Sequence, residues 1–129
     1  MSKAYDFLKE CGVFFLATMD GQTPAMRPFG AVMEHDGQLY ISTANTKAVY
    51  AQMKTHPTVQ ISAIKPGTRE WIRINGQAEE VTDQAIKQKM LDECALGRHF
   101  STSQDPRFAI FKITKAEAWL SQNGQFAKI

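Results

Sequence analysis

Four turn dipeptides, Asp20-Gly21, Asp36-Gly37, Pro66-Gly67 and Asn123-Gly124, punctuate a chain whose apolar runs are otherwise short. Asp-Gly and Asn-Gly pairs supply the positive φ angles that tight hairpins require. Strands joined so closely must run antiparallel, because parallel neighbours need a crossover of about a dozen residues. An alternating parallel α/β architecture is therefore disfavoured. Helical segments fall between the hairpins, so the expected class is mostly β: a small closed or split antiparallel β-barrel with helices. The main competitor is an open α+β sheet with helices on one side. A chain of 129 residues buries one real core, which predicts a single domain over 1–129.

The segments between the turns can be assigned in order. Ser2 caps a short helix over residues 2–10, and Gly12 ends it. Residues 13–18 are apolar at almost every position and predict a strand covered on both faces. One strand is expected over 24–34 and another over 38–43. Asn45 or Thr46 caps the next helix, which carries Val49, Tyr50 and Met53 on one side and stops at His56-Pro57. Residues 58–65 alternate, with Val59, Ile61 and Ala63 on one face and Gln60 and Ser62 on the other. A long strand over 69–81 has a core face of Ile72, Ile74 and Ala78. Thr82-Asp83 opens another helix, with Ile86, Met90, Leu91 and Cys94 at helical spacing and Gly97 at its end. The polar stretch 98–106 reads as loop. A strand over 108–113 precedes a last hairpin, 116–121 and 126–129.

Bulk properties exclude several classes. With 43% hydrophobic and 22% charged residues, the chain has the apolar content of a packed globular protein and not of a disordered one. Its net charge is +2 and its basic residues are scattered among acidic ones, which argues against nucleic acid as a partner. The longest apolar run, 13–17, falls far short of the roughly 20 residues a membrane span needs, so no membrane partner is expected. No basic segment followed by an apolar signal core opens the chain, and a cytoplasmic location is expected. Cys11 and Cys94 are isolated, and His35, His56 and His99 lack metal-ligand spacing, so no metal site is expected.

Two consecutive segments carry the chemistry. Arg27-Pro28-Phe29-Gly30-Ala31-Val32 reads as a strand with a guanidinium, and Ser42-Thr43-Ala44-Asn45-Thr46-Lys47 as a strand end running into a helix. Two cations, neighbouring hydroxyls and free helix N–H groups form a receptor for a dianionic phosphate. Lys47 in the first turn of a helix opposes the helix dipole, a penalty that a bound anion reverses. Alternation places Arg27, Phe29 and Ala31 on one face. Pro28 removes a ladder donor and Gly30 supplies no side chain, as fits a flat ligand against backbone amides or an edge strand with a bend. On the long strand, alternation sends Trp71, Arg73 and Asn75 outward. An indole beside a guanidinium there is either a surface stripe or an interface or ligand wall.

These residues, taken in order, resemble a known family. The pattern A-T-x-x-G-x-x-x-x-x-R-P-F-G runs from Ala17-Thr18 through Gly21 to Arg27-Pro28-Phe29-Gly30. With Ser42-Thr43, Thr46-Lys47, His56-Pro57-Thr58-Val59 and Trp71-Ile72-Arg73-Ile74-Asn75-Gly76, it is similar to the pyridoxamine 5′-phosphate oxidase-like family, in particular its short branch. The likeness covers nearly the whole chain and is weak after Gly97. It implies an FMN-binding split barrel that forms a homodimer with FMN at the subunit interface. The first FMN block of the oxidases begins on Arg27 and continues through Val32, where true oxidases usually carry Lys. Their hydroxyl pair falls on Ser42 and Thr43, and their basic pair on Thr46 and Lys47, of which only the Lys is retained. A residue contributed by the second subunit falls on Trp71, with Arg73 beside it. The C-terminal flavin-flanking Trp falls on Trp119, which packing in the last hairpin explains equally well.

The resemblance implies an FMN-dependent oxidoreductase acting on a small molecule, with NADH or NADPH as the candidate reductant. In this reading Arg27, Ser42, Thr46 and Lys47 anchor the phosphate, and backbone amides around Phe29, Gly30 and Ala31 meet the ring edge. No side chain stands out as a general acid or base. The oxidases' C-terminal Arg-x-His has no counterpart here, since residues 119–129 contain neither Arg nor His, and pyridoxamine phosphate is not the expected substrate. The relative deazaflavin F420 remains open in place of FMN. A non-catalytic flavin or haem storage protein is the alternative, and a barrel binding single-stranded nucleic acid through Trp71 and Phe29 is a more distant one.

Overall fold

Inward and outward residues alternate along the strands, and the alternation decides which side of the sheet becomes core. The computed structural model describes residues 1–129. In chain order it contains α1 (Ser2–Cys11), β1 (Phe14–Asp20), β2 (Thr23–Phe29), β3 (Val32–His35), β4 (Gln38–Ala44), α2 (Ala48–Thr55) and β5 (Thr58–Ile64). Then follow β6 (Trp71–Val81), α3 (Gln84–Glu93), a 3-10 turn (Leu96–Arg98), β7 (Phe108–Gln122) and β8 (Gln125–Lys128). Every pairing is antiparallel, in the order β2-β1-β5-β6-β7-β4-β3, with β8 on β7. The two end strands of that order, β2 and β3, are separated in the chain only by Gly30 and Ala31. So short a link spans roughly 10 Å. The sheet therefore curls until its ends meet without pairing, which makes a split antiparallel barrel.

Phe14 and Leu16 of β1, Ile61 of β5, Ile72 and Ile74 of β6 and Phe111 of β7 fill the interior and are fully buried. Each contributes about 1.5–3 kcal/mol relative to an exposed side chain. α1 adds Phe7 and Leu8 to the same core, and α2 adds Val49 and Met53. Glu10 of α1 pairs with Lys65, just past the end of β5, at 2.8 Å. Tyr50 of α2 donates to Glu80, near the end of β6, at 2.8 Å. Because β5 and β6 are antiparallel, the two helices close opposite ends of the barrel. A second, smaller core lies outside the wall, where Met33, Tyr40, Phe108 and Ile110 meet Met90 and Leu91 of α3 together with Leu96 and Phe100.

Several sequence expectations require correction. Ser2 is the first residue of α1 and not its cap, its hydroxyl donating instead to the Glu34 carboxylate at 3.1 Å, and β1 is covered on one face only, with Phe15 45% exposed. The strand over 24–34 is two strands, because the chain leaves the β1 ladder after Phe29 and joins β4 from Val32 on. The separate strands 108–113 and 116–121 are one, β7. An extra residue there is absorbed as a bulge, with Asn75 opposite Glu117, Gln77 opposite Thr114, and Lys115 at φ 51°. α3 stops at Glu93, short of Gly97, since Ala95 adopts a left-handed conformation with φ 53° and breaks the helix before Leu96. Finally, neither Asn45 nor Thr46 caps α2. Lys47 occupies the cap position with extended backbone and no side-chain cap, and the Asn45 amide instead donates to the Pro106 carbonyl at 2.7 Å.

Candidate functional site

Two adjoining hollows of about 400 and 330 Å³ share Ser42, Thr43, Lys47, Leu96 and His99, and together form one cleft. The first is bordered by residues 28–31, where the chain passes from β2 to β3, and the second continues to Thr46, Phe100 and Arg107. β4 delivers Ser42 and Thr43 as it leaves the sheet, and the turn into α2 delivers Thr46 and Lys47. The facing wall is the segment after α3, from Cys94 to His99. The size suits a small organic ligand.

The electrostatics of this cleft are one-sided. Lys47, Arg98, His99 and Arg107 line it, and no Asp or Glu does. Arg107 is committed to Asp105 at 2.9 Å, whereas Lys47, Arg98 and His99 form no ion pair. Thr43 is 7% exposed, and its hydroxyl is the one buried side-chain polar atom in the protein without a hydrogen-bond partner. An orphaned hydroxyl costs about 1–3 kcal/mol, so an acceptor supplied by a ligand offsets a real penalty. Lys47 also stands at the positive end of α2, where an anion is favoured and a lone cation is not. At the other end of the cleft, Gly30 and Ala31 belong to no ladder, so their backbone groups are open to a planar ligand edge.

Five predicted site residues lie outside this cleft, and two of them, Arg27 and Val32, point into the barrel. Arg27 pairs in register with Leu16, on the inward face of β1, so its side chain enters the barrel end beneath α2. Its guanidinium donates to the Leu16 carbonyl at 3.1 Å, to the Thr18 hydroxyl at 2.7 Å and to the Gln52 side-chain oxygen at 2.7 Å. Burial pushes its pKa down, and no carboxylate compensates. Arg27 therefore ties β1, β2 and α2 together and does not line the cleft. Val32 is 3% exposed and packs into the barrel core, where its carbonyl accepts from the Cys94 thiol at 3.5 Å. Burial, above all, raises the Cys94 pKa, which keeps that thiol protonated.

Trp71, Arg73 and Trp119 are not brought to the Lys47 cleft within one chain. They stand on the outer face of β6 and β7, with Arg73 opposite Trp119. Trp71 stacks on Phe126 at 5.1 Å, and the Arg73 guanidinium lies 5.2 Å from the Trp71 ring centre. Around them Val13, Phe15 and Ile64 are 54%, 45% and 57% exposed, so this face is a broad uncovered apolar surface. A further hollow of about 400 Å³ between β1, β5 and β6 contains Gln60 and Asn75, where the Gln60 amide donates to the Asn75 side-chain oxygen at 2.8 Å. It has no orphaned polar group and is the weaker ligand site.

Sequence reasoning missed Arg98, His99 and Arg107. The stretch 98–106 has no periodicity to mark it, and only the structure folds it over Ser42 and Lys47.

A sequence profile of the family described as pyridoxamine 5′-phosphate oxidase matches residues 2–122. Among solved structures, a NimC/NimA family protein from Clostridium acetobutylicum is 36% identical with a TM-score of 0.91, over 100% of this chain and 93% of that one. General Stress Protein 26 from Bacillus anthracis str. Sterne is 18% identical with a TM-score of 0.80, over 99% and 97%. A heme binding protein from Mycobacterium smegmatis is 14% identical with a TM-score of 0.78, over 98% of this chain and 56% of that one. The last two share the fold alone. No curated protein matches the sequence.

Proposed function

This chain belongs to the pyridoxamine 5′-phosphate oxidase family, and from that premise we propose that it is an FMN-binding flavoprotein acting as an oxidoreductase on a small molecule, as a homodimer. The carrying observation is the cleft itself, where an orphaned Thr43 hydroxyl and an unpaired Lys47 stand at one end and open backbone groups at the other. That donor set fits a phosphorylated flavin: a dianion at the Ser42, Thr43, Thr46 and Lys47 end, and a flat polar edge along residues 29–31.

When bound, FMN supplies the hydride and electron chemistry, while the protein binds and orients it. The Lys47 ammonium neutralises phosphate charge, and the Ser42, Thr43 and Thr46 hydroxyls donate to its oxygens. The barrel interior is filled by Phe14, Leu16, Ile61 and Phe111, so a tricyclic ring has room only outside. Arg27 acts here as a positioning residue, since it anchors the strand that leads into residues 28–31. The exposed Val13, Phe15 and Ile64 supply apolar area for a second copy, which would exclude water from the ring and bring Trp71 and Arg73 of one chain toward the flavin of the other. NADH or NADPH is the candidate reductant.

A second reading, haem binding, draws on His99, whose imidazole lines the cleft and has no partner within the chain. One experiment separates the two: the absorption spectrum of freshly purified protein, with mass spectrometry of what denaturation releases. A flavin spectrum with FMN released from a dimer is expected. A haem spectrum would favour the alternative. Protein that stays colourless and monomeric after soaking in excess FMN would overturn the proposal.

A further inference from the structure

The segment after α3 reaches the cleft in a way that no sequence motif announces. Ala95 turns the chain sharply through its left-handed conformation. Leu96 then anchors in the small outer core, and Phe100 anchors again four residues on, tilted against Phe108 at a centroid distance of 4.7 Å. Between those anchors the His99 and Phe100 N–H groups both donate to the Leu96 carbonyl, at 2.9 and 3.1 Å. Arg98 and His99 are thus exposed side chains on a fixed turn. Their turn is also sewn to the Lys47 turn. The Asn45 N–H donates to the Arg107 carbonyl at 2.8 Å and its side chain to the Pro106 carbonyl at 2.7 Å, while the Arg107 guanidinium reaches the His99 carbonyl at 3.4 Å.

We infer that Arg98 and His99 form the second jaw of an anion site, closing on the same phosphate that Lys47, Ser42 and Thr43 hold from the first. Three observations carry this. The two residues line the cleft that Lys47 and Thr43 line, neither has an acidic partner, and no Asp or Glu lines that cleft, the nearby Asp105 being paired with Arg107. The Thr43 hydroxyl between the jaws is the buried donor still lacking an acceptor. Two jaws held by rigid anchors bind without paying the ordering entropy of a mobile loop. The ligand class is a phosphate monoester on an apolar, planar body. The inference rests on the flavin reading above and adds to it the segment after α3.

The test compares two probes that differ only in the phosphate, FMN and riboflavin, titrated into flavin-free protein and followed by flavin fluorescence. In wild type FMN should bind more tightly than riboflavin. Replacing the pair, Arg98→Ala with His99→Ala, should weaken FMN about tenfold or more, the loss expected of charge-assisted contacts, and leave riboflavin within about twofold. Both side chains are exposed, and an unchanged melting temperature of the flavin-free variant confirms its fold. FMN affinity equal to wild type would overturn the inference, as would a parallel loss for both flavins, which would make the segment a wall of the ring site. Wild type that binds neither flavin would instead sink the flavin reading itself.

Discussion

The barrel wall bears large apolar side chains on its outer surface in two places, and the chain treats them in opposite ways. Over β3, β4 and the first half of β7, the outward Met33, Tyr40, Phe108 and Ile110 are covered by α3 and the turn after it. Over β1, β5 and β6, the outward Phe15 and Ile64 remain 45% and 57% exposed, with Trp71 and Arg73 beside them. Connection length explains the contrast. Residues 82–107 join β6 to β7, long enough for a helix and an anchored turn. β1 to β2 and β5 to β6 are joined by short turns that leave nothing to fold back over their strands. The tight turns that make the sheet antiparallel therefore also leave one face bare. This bare apolar face is the one that the second copy would cover in the proposed dimer.

The largest expected effect tests the covered face. Phe108 is 2% exposed and packs on Phe100, so Phe108→Ala should cost about 3–5 kcal/mol of stability. A guanidinium unfolding midpoint measures it. A loss below about 1 kcal/mol would mean that the outer layer is loosely attached and that the two faces are more alike than they look.

The bare face should respond in the opposite manner. Ile64→Asp should leave the stability of the isolated fold within about 0.5 kcal/mol, since the side chain is exposed there. In the proposed dimer it should cost about 2 kcal/mol or more at the interface, roughly a thirtyfold rise in the dissociation constant. Sedimentation of wild type and variant over a concentration series reads both. An unchanged dimer would free this face from the proposed role.

The boundary between the two faces is the β7 bulge opposite Gly76. A Cβ at Gly76 would collide with Ile113 Cγ2 and lie 3.0 Å from the Thr114 carbonyl oxygen. Overpacking of this kind costs about 1–3 kcal/mol. Gly76→Ala should lower the urea midpoint accordingly. A neutral result would show that the bulge moves freely and that the boundary is soft.

What the sequence made legible follows from how local each signal is. Asp83 as the α3 cap needs only its own neighbourhood, and its carboxylate accepts from the Ile86 N–H at 3.1 Å. The inward set Ile72, Ile74 and Ala78 follows from alternation within one strand. The outward Trp71 and Arg73 follow from the same rule. Arg27 failed because its direction depends on register with Leu16, a partner that its own segment does not encode. The division of residues 24–34 failed for a related reason, since β2 and β3 part to pair with different strands. Lys47 and the hydroxyls near it were legible as chemistry, but the opposing jaw was not. Arg98 and His99 acquire meaning only through Leu96 and Phe100, which bury against residues distant in sequence.

The smallest expected effect concerns Asn45, which joins the covered face to the cleft. Read locally it was a helix cap, yet its side chain instead bridges to the Pro106 carbonyl at the approach to β7. Asn45→Ala removes that bond and spares the backbone bond from its own N–H to Arg107. Because the bridge is exposed, its loss should cost only about 0.5–1 kcal/mol of stability. Its influence on FMN should be larger in proportion, because it fixes the spacing between the Lys47 turn and the Arg98–His99 turn. FMN affinity should fall severalfold while riboflavin affinity holds, a weaker copy of the double substitution. Equal affinity for FMN in Asn45→Ala and wild type would mean that the remaining backbone bond alone sets the jaw spacing. The side chain would then contribute to the fold and not to the cleft.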